Sequence, residues 1–468
     1  MDKRSWPAYN GKPHRSPLVE GRHGSTIEKL RSSDPIAESR PSSVSSMSIL
    51  KLVAILISHF FVDAYASVFA PLAAIVRMAP TQIGVFATIQ SLASSFTQLL
   101  FGYLADRGGL KRYVVGGLVV AAITMGLIGP LIDTPLALGS LLVIGGLGIA
   151  AFHPAGVVLA ARSVGRQGAL GVSLFLLAGT TGFAVGPVLL EQFIRKAPAA
   201  LETLPLNAEL AERLEAGHQA LPLLALPGLL VAAFAWLVFA SYRVAPQNRK
   251  RPALEAIPTL VRNHGREILP IYILVVARTL VQTTLVSFLP RLMVDRQYSD
   301  AIAAQSLTYF IFSGALGMLV VGYLVTRCNR KWIQAVSFVI GIPCLLAFLL
   351  LDVSLGMGLT LLTLGGFFAL STNSMHIIIG QEIAPAHAST LSSVMMGFGW
   401  GGAAVGPLAV SFFVPYVGLD SALAAVVAVP LLALPLTACL RERPSPKRVS
   451  DPRSDTEATT ATDLPPSS

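Results

Sequence analysis

The stretch Gly102-Tyr103-Leu104-Ala105-Asp106-Arg107-Gly108-Gly109-Leu110-Lys111-Arg112 is a charged connector between two long apolar runs. It returns in weaker form as Gly322-Tyr323-Leu324-Val325-Thr326-Arg327-Cys328-Asn329-Arg330-Lys331. Gly102 to Gly322 and Lys111 to Lys331 are both steps of 220 residues. A second pair keeps that offset: Gly182-Phe-Ala-Val-Gly186-Pro187 against Gly402-Ala-Ala-Val-Gly406-Pro407. Two unrelated motifs at one spacing indicate a duplicated architecture rather than chance likeness between apolar segments.

The solvent of this architecture follows from composition. Of 468 residues, 53% are hydrophobic and 13% charged, against roughly 25% charged in a soluble domain. So few charges cannot cover a water-exposed surface of this size. Apolar runs of about 20 residues, long enough to cross a bilayer as helix, recur along the chain. Twelve spans are expected near 49–75, 81–104, 112–130, 136–160, 168–193, 220–242, 267–292, 301–325, 332–351, 355–379, 388–415 and 419–440. The expected fold is an all-α membrane protein of twelve transmembrane helices in two pseudo-symmetric six-helix bundles. The bundles occupy 48–242 and 267–440, joined by a basic linker at 243–266. The tails, 1–47 and 441–468, are polar and rich in Ser and Pro, a composition that favours disorder. Residues 194–219 form a longer connector with an acidic helical pattern of Leu201, Leu204, Leu210 and Leu214 among Glu202, Glu209, Glu212 and Glu215.

Charge sets the expected orientation. With both termini on one side, that side holds about 28 of the 35 Lys and Arg, the other about 6, and Arg278 lies within a span. This places the chain in a cell membrane, plasma or inner, with cytoplasmic termini. The net charge of +10 is spread between the apolar runs, so it reads as orientation and not as a nucleic-acid surface. The first apolar run follows a tail too long for a signal peptide and carries His59 and Asp63, so it is expected to be retained. Cys328, Cys344 and Cys439 have no metal or redox spacing. Without a phosphate-binding loop, a metal cluster or a nucleophile–base set in the pattern, no cofactor is expected and the chain does not read as an enzyme. Energy then comes from ion or solute gradients.

The connector itself reads as a gate. Asp106 stands before a helix N-terminus, where a carboxylate is stabilised. Arg107, Lys111 and Arg112 surround it, and Gly102 permits close backbone approach. A compact charged clasp at one membrane face can latch two halves, with Arg327 and Lys331 as the weaker second copy and Glu382 joining from the tenth span. The plain alternative is a positive-charge turn.

Gly102-Tyr-Leu-Ala-Asp106-Arg107 with Gly-Gly-Leu-Lys111-Arg112 resembles the loop 2–3 signature of the major facilitator superfamily. Ser58-His59-Phe-Phe-Val-Asp63, Gln90-Ser-Leu-Ala-Ser-Ser95, Phe152-His153-Pro154, Gly168 to Pro187 and Gln381-Glu382-Ile-Ala-Pro385 are similar to stretches of its fosmidomycin-resistance-type transporters. The resemblance implies two six-helix bundles, a central cavity, alternating access and, commonly, proton-coupled efflux. One departure is Ala155, where members of that subgroup often carry a carboxylate after the His-Pro pair. No role of that carboxylate transfers.

Ionisable groups inside the spans supply the site. A charge at membrane depth is costly unless it faces a cavity or a partner. His59 and Asp63 are four apart, on one helical face, as a proton-carrying pair or a hydrogen-bonded structural one. Arg278 and Gln282 repeat that spacing in the seventh span. Aligning Phe69-Ala-Pro71 with Phe288-Leu-Pro290, an offset of 219, sets His59 opposite Arg278 and Asp63 opposite Gln282. The cavity is therefore expected around these four, with Arg278 either holding an anionic solute group or serving as counter-ion to Asp63. His153 falls opposite Asn373 at the 220 offset, and His376 follows Asn373 by three. These are cavity candidates, with packing histidines as the alternative. Gly182, Gly186 and Pro187, with Gly402, Gly406 and Pro407, provide the small-residue spacing of close helix contact. The functional expectation is a monomeric secondary transporter of a small polar or anionic solute, with protons as coupling ion and export as the mode. Uptake by symport and a non-transporting receptor stay open.

Overall fold

The computed structural model describes residues 46–165, 168–200, 216–240, 253–384, 391–392, 394–440 and 442. The two tails, the acidic pattern at 201–215, the last two residues of the expected sixth span (241–242) and the 243–252 part of the linker lie outside the described residues. Twelve described helices are long and apolar enough to cross a membrane. They are α1 Ile49–Ile75, α2 Pro80–Ala105, α3 Leu110–Leu127, α4 Pro135–Ser163, α5 Leu170–Ala197 and α6 Leu221–Val238. The second set is α7 Pro258–Asp295, α8 Asp300–Leu324, α9 Arg330–Leu350, α10 Leu355–Ile383, α11 Val394–Val417 and α12 Leu419–Cys439. No strand occurs among the described residues.

Local chemistry sets many of the starts. Pro80 and Pro135 open α2 and α4, where a missing N–H costs nothing. Ser299, Asn329 and Ser354 cap α8, α9 and α10 with their side-chain oxygens. The helix that contains the α7 span begins earlier, at Ala253, and runs 43 residues to Asp295, about 65 Å at 1.5 Å per residue. It therefore extends well into the expected linker. Its first turns are polar enough to leave no apolar run in the sequence.

The packing scheme of the first six helices recurs in the second six. α4 packs on α2 and α3, α5 on α1, and α6 on α1 and α3; α10 packs on α8 and α9, α11 on α7, and α12 on α7 and α9. The halves meet along α2–α11 and α5–α8, two contacts that exchange under a shift of six helices. The backbone carries the same signature: Arg77 and Gln297, 220 residues apart at the ends of α1 and α7, both have left-handed φ, 57° and 64°.

Glycines allow the closest contacts. A Cβ on Gly182 would overlap the backbone of Phe60 in α1, and one on Gly186 would meet Ser67 and Ala64. In the second half, a Cβ on Gly406 would overlap Thr284 of α7, and one on Gly402 would come within 3.1 and 3.2 Å of the Tyr272 hydroxyl and a Val276 methyl. Pro187 and Pro407 are buried beside them.

Three helices break where they border the centre. α1 is interrupted at Ser67 and Val68, and α10 at Ser371 and Thr372. α11 opens with a π-helical turn, Val394–Phe398. Such breaks free backbone groups and are tolerated at membrane depth where protein or a cavity surrounds them.

Candidate functional site

One cavity of about 260 Å³ lies between the halves. Its walls include His59 and Asp63 from α1, His153 from α4, Arg278 and Gln282 from α7, and Asn373 from α10. A further polar face comes from α2, with Gln90, Ser91, Ser94, Ser95 and Gln98. Met396 and Trp400 of α11 add an apolar side.

The first wall is a His–Asp–His set. Asp63 Oδ2 is 3.3 Å from His59 Nε2, and Asp63 Oδ1 is 3.2 Å from His153 Nε2. His59 stacks on Phe175 with ring centroids 3.6 Å apart, and the Phe152 ring lies 5.6 Å away. Gly179 of α5 backs the pair so closely that a Cβ there would overlap both His59 and the Asp63 carboxylate. His153 thus joins the carboxylate directly, a contact between helices 90 residues apart that no sequence period encodes.

The second wall is built around Arg278, which is 2% exposed. Its Nη1 donates to Gln282 Oε1 at 3.0 Å, and its Nη2 donates to Thr279 Oγ1 at 2.7 Å and Asn373 Oδ1 at 3.1 Å. These partners are neutral. Asp63 is paired with the two histidines, so Arg278 is not its counter-ion in this structure. The two walls mirror each other: α4 reaches α1 through His153 and Asp63, and α10 reaches α7 through Asn373 and Arg278.

His376 departs from the expected position. It is fully buried and its Nε2 is 2.7 Å from Gln334 Oε1 of α9, outside the cavity lining. Three residues turn a helix by about 300°, short of a full circle by about 60°. That is enough to carry His376 from the cavity face to the α9 contact. The polar α2 face went unassigned in the sequence, although positions 90, 91, 94, 95 and 98 share one helical side.

The charged connector is arranged differently from a latch across the halves. Arg107 bonds the Tyr103 hydroxyl and lies over its ring, and Lys111 Nζ sits 3.4 Å above the Trp236 ring of α6. Arg112 is exposed and Gly102 faces Pro154. Arg327 stacks on Tyr323 at 3.7 Å, and Lys331 is 4.0 Å from Glu442. Glu382 of α10 takes a two-pronged bond from the buried Arg330 of α9, 2.6 and 2.9 Å long. Each of these contacts stays within one half. The Asp106 side chain lies outside the described residues. Charged side chains do cross at the opposite membrane face: Arg77 Nη1 donates to Asp300 Oδ1 at 3.0 Å, and Arg291 Nη1 to the Met78 carbonyl at 3.1 Å.

Comparison with known proteins fits this geometry. The sequence profile of the Major Facilitator Superfamily matches residues 52–395 and, overlapping, 271–464. The chain belongs to the major facilitator superfamily. The transporter is 23% identical over 361 residues to an uncharacterized MFS-type transporter, YfnC, of Bacillus subtilis (strain 168), covering 76% of this chain and 83% of that one. Its fold is similar to the inward-facing, unoccupied crystal structure of a bacterial homologue of the human lysosomal transporter Spinster. That match has a TM-score of 0.67 at 15% identity and covers 86% of this chain and all of that one. A mutant of the nucleoside transporter NupG matches with a TM-score of 0.64 at 15% identity, over 84% of this chain and all of that one. The protein is therefore a multi-pass membrane transporter of small-molecule solutes, from a family of carriers and not of enzymes.

Proposed function

We propose that this transporter exports a small polar solute bearing an anionic group, in exchange for protons, by alternating access. The observation that carries the reading is Arg278: a buried guanidinium on the cavity wall whose hydrogen-bond partners there are neutral. A cation at this depth calls for an anion, and a carboxylate or phosphonate on the solute supplies one in the geometry a guanidinium favours. The α2 serines and glutamines suit the polar remainder of such a solute, and Trp400 a flat or apolar part. Likeness to the fosmidomycin-resistance-type stretches supports the phosphonate class and export.

In this reading Asp63 carries the coupling proton, with His59 and His153 as the groups that face it from α1 and α4, and Arg278 and Gln282 across the cavity. Loss of negative charge at Asp63 and docking of an anion at Arg278 alter the same enclosed field, which links the two events. The contacts of Arg77 and Arg291 close one face, and the basic face opens and shuts as Lys111, Arg330 and their partners rearrange. The excess of Lys and Arg supports a cytoplasmic position for that basic face and both termini, in a plasma or inner membrane. Growth of an efflux-deficient host on a panel of small phosphonates and carboxylates tests the reading. Expression is expected to protect against anionic members and not against their neutral esters. Equal protection against both sets, or none against either, would overturn it.

A further inference from the structure

Both cavity histidines are held in one tautomer. His59 Nδ1 is 2.6 Å from the Phe175 carbonyl, and His153 Nδ1 is 2.8 Å from the Ile149 carbonyl. A carbonyl only accepts, so each Nδ1 carries its proton and donates it. In the neutral ring the lone pair is then on Nε2, and both Nε2 atoms face the Asp63 carboxylate, itself only an acceptor. In that state three electron-rich groups converge. His59 Nε2 shows the deficit directly: it is buried without a hydrogen-bond partner, on a residue 2% exposed.

We propose that His59, Asp63 and His153 form a binding site for a divalent first-row transition metal ion of the zinc type, with one coordination position open to the cavity. The donor atoms all lie within 4.8 Å of one another. Two imidazoles and one carboxylate are the donor set of open zinc sites, and four ligands at roughly 2.0–2.1 Å from an ion stand about 3.3 Å apart. The observed separations are 3.3 Å from His59 Nε2 to Asp63 Oδ2 and 3.2 Å from His153 Nε2 to Asp63 Oδ1, so each imidazole stands at ligand spacing from one oxygen of the carboxylate. Metal-bound histidines typically give their second N–H to a carbonyl or carboxylate, as both rings do here. Stacking on Phe175 and the Nδ1 bond to its carbonyl fix one ligand ring before any ion arrives. Calcium and magnesium are poor candidates, because they require six or more oxygen-rich positions.

The open position faces the solute. Asp63 and His153 side chains are 17% and 24% exposed and both line the cavity. Ion and coupling proton compete for Asp63; a bound ion adds a second positive centre opposite Arg278, and an anionic solute group completes its coordination. The site stands on the geometry of three side chains and not on the transport reading, so its test is an equilibrium measurement without flux.

The purified full-length chain, stripped with chelator, is titrated with Co²⁺ and followed by visible absorption, and in parallel dialysed against Zn²⁺. One ion per chain, with the intense absorption of four-coordinate Co²⁺, is expected. His153→Gln is expected to weaken binding by at least about tenfold while circular dichroism stays helical. A His14→Ala/His23→Ala variant, altered only in the N-terminal tail, is expected to bind as the natural chain does. Wild-type protein that binds no Co²⁺, or only with a weak six-coordinate spectrum, overturns the proposal whatever the variants do. So does unchanged stoichiometric binding in folded His153→Gln, or loss of the ion in the tail variant.

Discussion

Arg278 and Asp63 show how single side chains define this cavity. Replacing Arg278 with Ala removes a charged donor, and such bonds are worth about 1.5–3 kcal/mol. Apparent affinity for anionic solutes should fall by roughly 10- to 100-fold, with neutral analogues nearly unaffected in competition binding. Equal losses would make Arg278 a structural residue. Gly179→Ala tests the other wall. Its new methyl meets His59 and Asp63, and overpacking of this kind costs about 1–3 kcal/mol. A lowered melting temperature with loss of Co²⁺ binding is expected; a variant as stable and as metal-competent as the natural chain would show that α5 can simply retreat. The sequence made part of this site readable. His59 and Asp63 share a face because a helix writes neighbours four residues apart, and Arg278 stands out as a fixed charge in an apolar run. That His153 reaches Asp63, and that Arg278 does not, depends on how α1, α4 and α7 rotate in packing, which no local period records.

Among the helices, the ion pair of Arg330 and Glu382 ties α9 to α10. The arginine side chain is 4% exposed and the carboxylate 40%. Breaking a fully buried pair costs about 3–5 kcal/mol, and the exposed side of Glu382 reduces this through solvent screening. Glu382→Gln should therefore lower stability by about 1–2 kcal/mol, read as a thermal shift in detergent; no shift would mean that Arg330 finds another anion. Most helix positions were legible from apolar runs alone. The exceptions have physical causes. α7 starts early because its first turns are polar, so helix there has no apolar signature. The break in α1 precedes Pro71, which has no N–H to give Ser67, and the break in α10 opens the polar run Ser371-Thr372-Asn373-Ser374; the cavity beside them and beside the π-helical turn of α11 tolerates the freed backbone groups.

For the whole molecule, the 220-residue echo indicated duplication, and the recurring helix pairs carry it through. The cations of the charged connector are the most visible in the first half, yet here they bond within their own half, and charged side chains cross between the halves at the other face, as Arg77–Asp300 and Arg291–Met78. Arg77 is 52% exposed, so the pair is worth about 0–1 kcal/mol. Asp300→Asn should shift the balance between open states by up to about fivefold, seen as faster labelling of cysteines introduced beneath that face. Unchanged labelling would leave the closure to packing alone. The most direct test is solute accumulation in vesicles holding the purified transporter, with an imposed pH gradient and a labelled small phosphonate. Proton exchange predicts uphill accumulation on the acidic side, abolished by Asp63→Asn while solute exchange at equal pH persists. Accumulation on the alkaline side, or undiminished uphill accumulation in Asp63→Asn, would contradict it.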